Sequence, residues 1–341
     1  MRTIRFTKMH GCGNDYIYID GAAQPVPQEE KPALARRLSD RHFGVGGDGV
    51  IFINPSARAD FEMEMYNLDG SRGEMCGNGI RCVGKYGYDH GLTDKTELTV
   101  ESCGQMKYLT LHTENGKVSS VRVNMGAPVL AAAQVPVVPE RALQDGGADS
   151  GSDMAAAGKS GNNGMAVSGK NGDSGAPAVG NGAAPVVSGD AVVNAPVTAL
   201  GRTYRMTCVS MGNPHAVIFT DGVAGMDLTK IGPALEHHPC FPNRTNVEFV
   251  QVLDRSHVEM RVWERGSGET MACGTGCCAT CVAGVLNGLT EPAVTVRVLG
   301  GEIAVEWDRA RNVVYMTGPA AEVFTGSVDA EALTGRVGAE A

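Results

Sequence analysis

Apolar and polar residues alternate in two stretches of the chain, with the period of two that is typical of a half-buried β-strand. The stretches are Phe-Glu-Met-Glu-Met-Tyr at 61–66 and Val-Glu-Met-Arg-Val-Trp at 258–263. Segments with a helical pattern predict three helices, at residues 31–41, 81–90 and 279–286. Gly91 and Gly288 stand where the C-terminal caps of the second and third helices belong. The pattern therefore predicts a chain that mixes strands and helices.

The predicted elements occur in the same order in two halves of the chain. A Gly-Asn turn followed by a strand that ends in Asp occupies residues 13–20 and again residues 212–221. A Cys-Gly-X-Gly string begins 62 positions after the asparagine of the first turn, at Cys76, and 60 positions after that of the second, at Cys273. Each string leads through a predicted helix to Gly-Leu-Thr, whose Leu lies 16 positions after the cysteine, and then to another strand. Agreement in four ordered landmarks indicates an internal duplication.

The segment between the halves has a different composition. Residues 131–196 are dominated by Gly, Ala, Ser, Asn, Pro and Val, and they contain no Phe, Trp, Tyr or Cys. Such a segment buries too little apolar surface to offset its ordering entropy, so we expect a flexible insertion with weak pairing only at its edges. This leaves two lobes, at residues 1–130 and 197–335. The predicted fold class is α+β, a mixed α/β arrangement of two pseudo-symmetric lobes with the ligand site in the cleft between them.

Charge and hydropathy narrow the class of protein. The chain of 341 residues has a net charge of -9, which argues against nucleic-acid binding and against electrostatic attachment to membranes. No apolar run approaches the roughly 20 residues that span a bilayer, and the N-terminus lacks the apolar core of a signal peptide. We therefore expect a cytoplasmic protein whose partner is a small-molecule substrate, with neither nucleic acid nor a membrane as a partner.

The chain contains ten cysteines, which is a large number for such a protein. In a long, unsecreted chain they are expected to be free thiols, most of them packed as small hydrophobic residues. Cys278 and Cys281 have a Cys-x-x-Cys spacing that zinc sites use, with Cys273 and Cys277 nearby. A zinc or redox-sensing thiol protein without catalytic activity is thus one alternative. It is disfavoured because all four cysteines lie within one helical span and no second ligand pair is evident, so we expect no bound metal.

Cys76 and Cys273 differ from the other cysteines because each opens a Gly-rich string at the start of a predicted helix. The first amide groups of a helix have no partner within it, so they bind carboxylates. The helix dipole also favours the thiolate, which predicts lowered pKa values for both thiols. Two such groups on opposite sides of one carbon would remove a proton from one face and deliver a proton to the other. The pair therefore predicts an isomerase that inverts the α-carbon of an amino acid without a cofactor.

Seven motifs, which cover nearly all of the chain outside residues 131–196, resemble those of the diaminopimelate epimerase family. They lie at residues 9–15, 66–71, 75–82, 212–215, 243–249, 263–270 and 272–276. The resemblance implies interconversion of LL- and meso-diaminopimelate, in lysine and peptidoglycan biosynthesis, without pyridoxal phosphate or metal. It also implies that each lobe is a mixed sheet rolled around a central helix.

The same resemblance implies roles for individual residues. Cys76 and Cys273 are the implied catalytic pair, and His215 and Glu264 are implied to tune the pKa values of the two thiols. The implied substrate-binding residues are Asn14, Asn67, Gly77, Asn78, Asn213, Asn246, Glu264, Arg265, Gly274 and Thr275. Arg265 has the bidentate geometry that suits a distal carboxylate, and Glu264 offers a negative charge to an ammonium group.

Two features depart from the family pattern, and several questions stay open. Gly49 follows the Asp of a Gly-rich turn where some members carry a Gln that contacts substrate, and the insertion at 131–196 is not a family feature. The nearest alternative is a proline or hydroxyproline racemase with the same two-cysteine mechanism, which would be expected to carry His in place of Asn78. A phenazine-pathway isomerase would share the fold but lack the cysteine pair. The sequence leaves open which cysteine deprotonates the LL isomer, and also the oligomeric state, for which a homodimer is the candidate.

Overall fold

Strands and helices fill most of the chain that a computed structural model describes, which is residues 2–73, 76–144 and 190–329. The first half contains β1 (Thr3–Gly11), β2 (Asn14–Asp20), α1 (Lys31–Ser39), β3 (Gly49–Asn54), β4 (Phe61–Asn67), α2 (Gly77–Asp89), β5 (Glu97–Ser102), β6 (Gln105–Glu114) and β7 (Lys117–Gly126). The second half contains β8 (Ala195–Ala199), β9 (Arg202–Ser210), β10 (Pro214–Phe219), α3 (Leu228–Glu236), β11 (Asn246–Val252), β12 (His257–Glu264), β13 (Gly268–Glu269), α4 (Gly274–Leu286), β14 (Ala293–Val298), β15 (Gly301–Asp308), β16 (Val313–Pro319) and β17 (Ala321–Asp329). Within the described ranges, no helix is long and apolar enough to cross a membrane.

The strand pairings repeat between the two lobes. In the first lobe, β1 and β2 are antiparallel, β2 and β3 parallel, β3 and β4 antiparallel, and β4 and β5 parallel. The second lobe repeats these pairings in the order β9, β10, β11, β12 and β14. β7 pairs with β16 in antiparallel orientation and so joins the two lobes edge to edge. The expected mixed α/β fold of two pseudo-symmetric lobes is confirmed.

One long helix stands at the centre of each lobe. Ten of the 13 residues of α2 are buried, and the same holds for α4. Both helices carry small residues where strands approach them closely. A Cβ on Gly84 would stand only 2.9 Å from a methyl group of Leu111, and a Cβ on Gly87 would stand 2.6 Å from the ring of Phe61. Residues of both helices belong to one apolar cluster, so the core is continuous between the lobes.

The cysteines of α4 are packing residues, as the sequence predicted for most of the thiols. Cys277, Cys278 and Cys281 are all fully buried in the apolar core. Burial raises the pKa of Cys281 to about 12, which keeps this thiol protonated and inert. In the described part of the chain, no group of metal-binding side chains surrounds Cys278 or Cys281. The Cys-x-x-Cys spacing therefore reflects a buried helix with small side chains.

The helices differ from the predicted ones at their ends, and one helix was not predicted. α2 and α4 begin at Gly77 and Gly274, several residues earlier than expected, because the Gly-rich strings are themselves the first helical turns. α1 ends at Ser39, where the prediction continued to residue 41. α3 was not predicted from the sequence, because Pro233 lies inside it and an interior proline ordinarily ends a helix.

The edges of the expected insertion are part of the C-terminal lobe. The apolar cluster around α3 includes four buried residues from them, Val135, Val137, Ala142 and Val192. Residues 131–144 and 190–196 are the edges at which the sequence predicts pairing, and their few apolar side chains meet partners that local composition does not reveal. The larger part of the predicted insertion, residues 145–189, lies outside the described residues.

The last described strand crosses from one lobe to the other. β17 pairs in antiparallel orientation with β1, in a register that runs from Thr3 opposite Asp329 to His10 opposite Ala321. β8 occupies the equivalent place beside β9 in the second lobe. The C-terminal lobe drawn from sequence as residues 197–335 therefore contributes its final described strand to the sheet of the first lobe.

Candidate active site

Cys76 is the N-cap residue of α2. Its backbone is extended, and its sulfur accepts a hydrogen bond from the amide of Gly79 at 3.3 Å. The thiol donates to Oδ1 of Asn14 at 3.4 Å. The Tyr16 hydroxyl lies near the sulfur and acts to lower the pKa of Cys76. Cys76 therefore stands at the positive end of a buried helix, between groups supplied by β2.

Cys273 has the same position on α4. It is the N-cap residue, with an extended backbone, and its sulfur lies 3.4 Å from Oγ1 of Thr275. Behind it lie His215 on β10 and Glu248 on β11, which hydrogen-bond through Nδ1 and Oε1 at 2.7 Å. A ring nitrogen of His215, a carboxylate oxygen of Glu248 and the Cys273 sulfur all lie within 4.8 Å of one another. Cys273 therefore contacts a buried histidine–carboxylate pair that Cys76 lacks.

The N-termini of the two central helices meet at the floor of one cleft. A Cβ placed on Gly77 would stand 3.8 Å from Cα of Gly274, and Met316 packs against both glycines. The Asn78 side chain crosses between the lobes, because its Nδ2 donates to the carbonyl of Ala272 at 3.1 Å. Within the described ranges, the buried Oδ1 of Asn78 has no hydrogen-bond partner. The free amides of both helix starts thus open onto one space.

This cleft has a volume of about 960 Å³. Ten of the predicted site residues line it: Asn14, Asn67, Cys76, Gly77, Asn78, Asn213, Glu264, Cys273, Gly274 and Thr275. Three others, His215, Asn246 and Arg265, lie outside its lining. The structure therefore brings together in one cleft both cysteines, the first two residues of both central helices, and four other predicted polar residues.

The residues outside the lining have other partners. Asn246 is buried and uses both ends of its amide, donating from Nδ2 to the Pro214 carbonyl at 2.7 Å and accepting from the Arg265 backbone amide at 2.9 Å. The Arg265 guanidinium donates to the carbonyl of Asn243 at 3.1 Å. His215 is fully buried behind Cys273. Asn246 therefore holds the backbone of Arg265, and the Arg265 side chain points to a surface carbonyl.

Asp48 was not among the predicted site residues, although it lines the cleft. Its Oδ2 accepts from Nδ2 of Asn14 at 2.9 Å, which leaves Oδ1 of Asn14 facing Cys76. Arg41 donates to the other carboxylate oxygen at 2.9 Å. Burial, with the nearby Asp15 carboxylate, raises the pKa of Asp48. The signal for this residue was its position directly before β3, at the end of the Gly-rich turn.

Gly49 begins β3, and it has no space for a side chain. A Cβ there would overlap the carbonyl oxygen of Tyr66 and would stand 3.1 Å from the ring of Tyr16. The close approach of β4 therefore requires glycine at this position. The Tyr16 ring therefore lies beside a bare backbone at this position.

Burial raises the pKa of both candidate catalytic thiols. For Cys76 the Glu264 charge adds to this effect, while hydrogen bonds from Gly79 and Tyr16 oppose it. For Cys273 the charges of Glu264 and Glu248 both add to burial, and the pKa rises well above the ordinary value. Burial and the nearby carboxylates therefore act against the lowered pKa values that the sequence predicted. The helix N-termini do favour the thiolates, but loss of hydration and the carboxylates outweigh them.

Strand register shows how the surroundings of the two cysteines differ. Tyr16 pairs with Gly49 across β2 and β3, and His215 pairs with Asn246 across the equivalent strands β10 and β11. Tyr16 and His215 therefore occupy equivalent positions in the two lobes, one beside each cysteine. Two residues further along, Ile51 in β3 corresponds to Glu248 in β11. Glu248 and Tyr16 were not predicted as site residues. The available signal was the carboxyl group of Glu248 between the buried apolar residues Val247 and Phe249.

Solved structures of other proteins share the fold of this chain. A phenazine biosynthesis protein of the PhzF family from Bacillus anthracis superposes with a TM-score of 0.62 at 14% identity, covering 96% of this chain and 100% of that one. A hydroxyproline epimerase from Agrobacterium vitis superposes with a TM-score of 0.58 at 14% identity, covering 96% of this chain and 92% of that one. The two-lobed fold is thus shared with this phenazine biosynthesis protein and this hydroxyproline epimerase.

Sequence similarity assigns the family of this chain. The profile of the family described as diaminopimelate epimerase matches residues 6–131 and 207–323. A diaminopimelate epimerase from Agathobacter rectalis is 48% identical over 326 residues, which cover 96% of this chain and 99% of that protein. The chain belongs to the diaminopimelate epimerase family, and it is an isomerase.

Proposed function

We propose that this protein interconverts LL- and meso-diaminopimelate, with Cys76 and Cys273 as proton acceptor and donor on opposite faces of the α-carbon. The observation that carries the proposal is that two equivalent N-cap cysteines line one cleft where the starts of α2 and α4 meet. A single N-cap cysteine would support only proton exchange with retention. A pair supports inversion, because each face of the carbon then has its own proton carrier.

The helix starts supply the site for the substrate α-carboxylate. Gly77 with Asn78, and Gly274 with Thr275, are the first two residues of α2 and α4, so their amides have no acceptor within the helix. These groups carry partial positive charge and bind a carboxylate. They also stabilise the negative charge that develops when the α-proton leaves. Glycine at each first position keeps the approach free of a side chain.

The proton that is removed from one face of the α-carbon is replaced by a proton delivered to the other face. One sulfur, as thiolate, takes the α-proton from one face while the opposite thiol gives its proton to the other face, and the roles exchange in the reverse reaction. In the cleft alone, Glu264 raises the pKa of both cysteines. The α-ammonium of the substrate brings positive charge beside the sulfurs, which lowers the free-energy cost of the thiolate. Substrate binding and activation of the base are therefore coupled.

Polar residues that line the cleft hold the other charged groups of the substrate. Asn67 and Glu264 are the last residues of the equivalent strands β4 and β12, and both line the cleft with Asn213. Glu264 receives an ammonium group, and Asn14 presents Oδ1 as an acceptor because Asp48 holds its Nδ2. Arg265 binds the distal carboxylate after its guanidinium leaves the carbonyl of Asn243. Asn246 supports this step through the Arg265 backbone, and His215 tunes Cys273.

The test follows deuterium from solvent into the substrate. Reduced protein is incubated with LL-diaminopimelate in deuterium oxide, and the meso isomer carrying α-deuterium is measured by chiral chromatography and mass spectrometry. Cys76→Ser and Cys273→Ser should each lower epimerisation by about 10²- to 10⁴-fold, because each removes one acid–base group. Cys103→Ser is the matched control, since Cys103 is an exposed thiol outside the cleft. Absence of exchange in folded, reduced protein would refute the proposal.

The same assay separates this function from the racemase alternative. L-Proline and trans-4-hydroxy-L-proline should show no α-deuterium exchange, because they lack the distal ammonium and carboxylate groups that Glu264 and Arg265 bind. Exchange of proline at a rate comparable to diaminopimelate would instead favour a proline racemase.

The proposal places the protein in the cytoplasm, as a homodimer, in the synthesis of lysine and peptidoglycan precursors. Light scattering coupled to size-exclusion chromatography gives the molar mass in solution. A mass of twice the 35.6 kDa chain is expected. Fractionation of the source cells tests the location.

A further inference from the structure

Three side chains capable of binding metal converge on one side of the cleft. A ring nitrogen of His215, a carboxylate oxygen of Glu248 and the sulfur of Cys273 lie within 4.8 Å of one another, and all three residues are buried. They come from β10, from β11 and from the N-cap of α4. We infer that these three residues, the Cys273 cluster, form a binding site for a divalent transition-metal ion of the zinc class. The ion would hold the Cys273 sulfur.

A second observation within the cluster is a buried carboxylate oxygen, Oε2 of Glu248, that a metal ion could bind. Glu248 is fully buried, yet its Oε2 has no hydrogen-bond partner among residues 2–73, 76–144 and 190–329. Its Oε1 accepts from His215 Nδ1, and the other ring nitrogen lies 3.0 Å from Asn213 Oδ1. Buried carboxylate oxygens ordinarily have partners, because an unpartnered one forfeits its hydration. A cation would give the free oxygen of Glu248 a partner. To become a ligand, His215 would give up one of its two hydrogen bonds, so that the lone pair of that ring nitrogen faces the ion.

The donor set selects the class of ion. One thiolate, one imidazole and one carboxylate match the three protein ligands of open tetrahedral zinc sites, with the fourth position free for water. Magnesium and calcium prefer oxygen ligands throughout, so they suit this set poorly. Binding replaces the Cys273 S–H bond by a metal–sulfur bond, and the thiol proton passes to solvent. The negative charge of Glu264, which also acts on Cys273, adds to the attraction for a divalent cation.

The first lobe provides an internal comparison. The positions equivalent to His215 and Glu248 are Tyr16 and Ile51, beside Cys76. An isoleucine offers no ligand, and a neutral phenol is a poor one. The inference is therefore specific for one cysteine of the pair. Under the proposed function, on which this consequence rests, a metal ion on Cys273 removes one of the two acid–base groups and stops epimerisation until a chelator restores it.

The test measures metal binding directly, so that it does not depend on activity. Co²⁺ is titrated into the reduced full-length chain under argon, and the tetrahedral d–d bands and the sulfur-to-cobalt charge-transfer band are recorded. We expect one Co²⁺ per chain, displaced by Zn²⁺. Glu248→Gln keeps the shape of the carboxylate, and it should weaken binding by at least about tenfold. Cys273→Ser should abolish the charge-transfer band, while the matched variant Cys76→Ser should retain it.

Several outcomes would overturn the inference. They are the absence of stoichiometric Co²⁺ binding, a charge-transfer band that survives in Cys273→Ser, or a band lost in Cys76→Ser, which would place the ion between the two sulfurs. Circular dichroism verifies the fold of each variant. The unmodified chain gives an independent readout, since Zn²⁺ should protect Cys273 from iodoacetamide and leave Cys76 reactive, as mass spectrometry of each peptide reports. If cobalt binds as expected but no epimerisation occurs in the deuterium assay, the metal site stands and the proposed function fails.

Discussion

The two cysteines of the cleft occupy equivalent positions but have different neighbours. Cys76 has a tyrosine hydroxyl beside it, and Cys273 has a histidine bonded to a buried carboxylate. Hydrogen bonding to the sulfur favours the thiolate, whereas a nearby carboxylate disfavours it. The side chains therefore give the two thiols different proton affinities within one pseudo-symmetric site.

Glu248→Gln should lower the pKa of Cys273 and leave that of Cys76 unchanged. The Glu248 charge raises the pKa of Cys273, and it is not among the largest causes of the shift at Cys76. Because burial places both pKa values above the ordinary value of 9.0, alkylation of each thiol should increase as the pH rises past that value. Iodoacetamide labelling against pH, read at each cysteine by mass spectrometry, gives the two profiles. A shift of both profiles, or of neither, would contradict the assignment.

Tyr16→Phe should affect the other thiol. The hydroxyl lowers the pKa of Cys76, so its removal should raise that pKa and slow Cys76 labelling at a fixed pH. A hydrogen bond to a charged group contributes about 1.5 kcal/mol, which corresponds to roughly a tenfold change. Tyr18→Phe is the matched control, since it removes a buried hydroxyl from the same strand that donates to the Gly79 carbonyl at 3.2 Å. Equal effects of the two substitutions would mean that the strand, and not the contact to Cys76, is responsible.

Helix α3 illustrates packing at the scale of an element. It lies against the indole ring of Trp263, whose Nε1 donates to Glu236 at the end of the helix at 2.8 Å. A Cβ on Gly232 would overlap the indole ring. The helix therefore approaches β12, the strand that ends in Glu264, at the distance that glycine permits.

Gly232→Ala should destabilise the C-terminal lobe. Overpacking of a buried contact costs about 1–3 kcal/mol, because either the helix or the indole ring must move. Urea unfolding followed by tryptophan fluorescence measures the change in the free energy of unfolding. Gly225→Ala is the control, because a Cβ there meets no atom within 4 Å. A loss of stability below about 0.5 kcal/mol in Gly232→Ala would show that the helix adjusts freely.

At the scale of the whole molecule, the lobes are connected by more than the chain between them. β7 and β16 pair across the boundary, β17 returns to β1, and the core is continuous between α2 and α4. These contacts therefore fix the relative positions of Gly77 and Gly274 at the floor of the cleft. The segment between the lobes in sequence contributes its two edges to the C-terminal lobe.

Replacement of residues 145–189 by a short Gly-Ser linker should preserve both stability and activity. Deletion of residues 132–196 should unfold or strongly destabilise the protein, because Val135, Val137 and Val192 each contribute about 1.5 kcal/mol by burial. Thermal unfolding and the deuterium-exchange assay compare the two variants with the full chain. Loss of activity in the shorter replacement would assign a function to the excised residues.

By itself the sequence determined the duplication, the mixed fold, the helices after Cys76 and Cys273, and ten of the residues that line the cleft. These features depend on local patterns, since alternation, glycine strings and cap positions are encoded within a few neighbouring residues. Because the chain is duplicated, a pattern recognised in one lobe also predicted the equivalent element of the other lobe.

Only the tertiary structure decided how the two halves differ. The pairing of β10 with β11 brings Glu248 behind Cys273, and the pairing of β2 with β3 leaves Ile51 behind Cys76. The direction of the thiol pKa shifts depends on burial and on carboxylates that are remote in sequence. The destination of β17 and the packing of residues 131–144 likewise depend on long-range contacts. Such contacts join residues far apart along the chain, so no local pattern contains them.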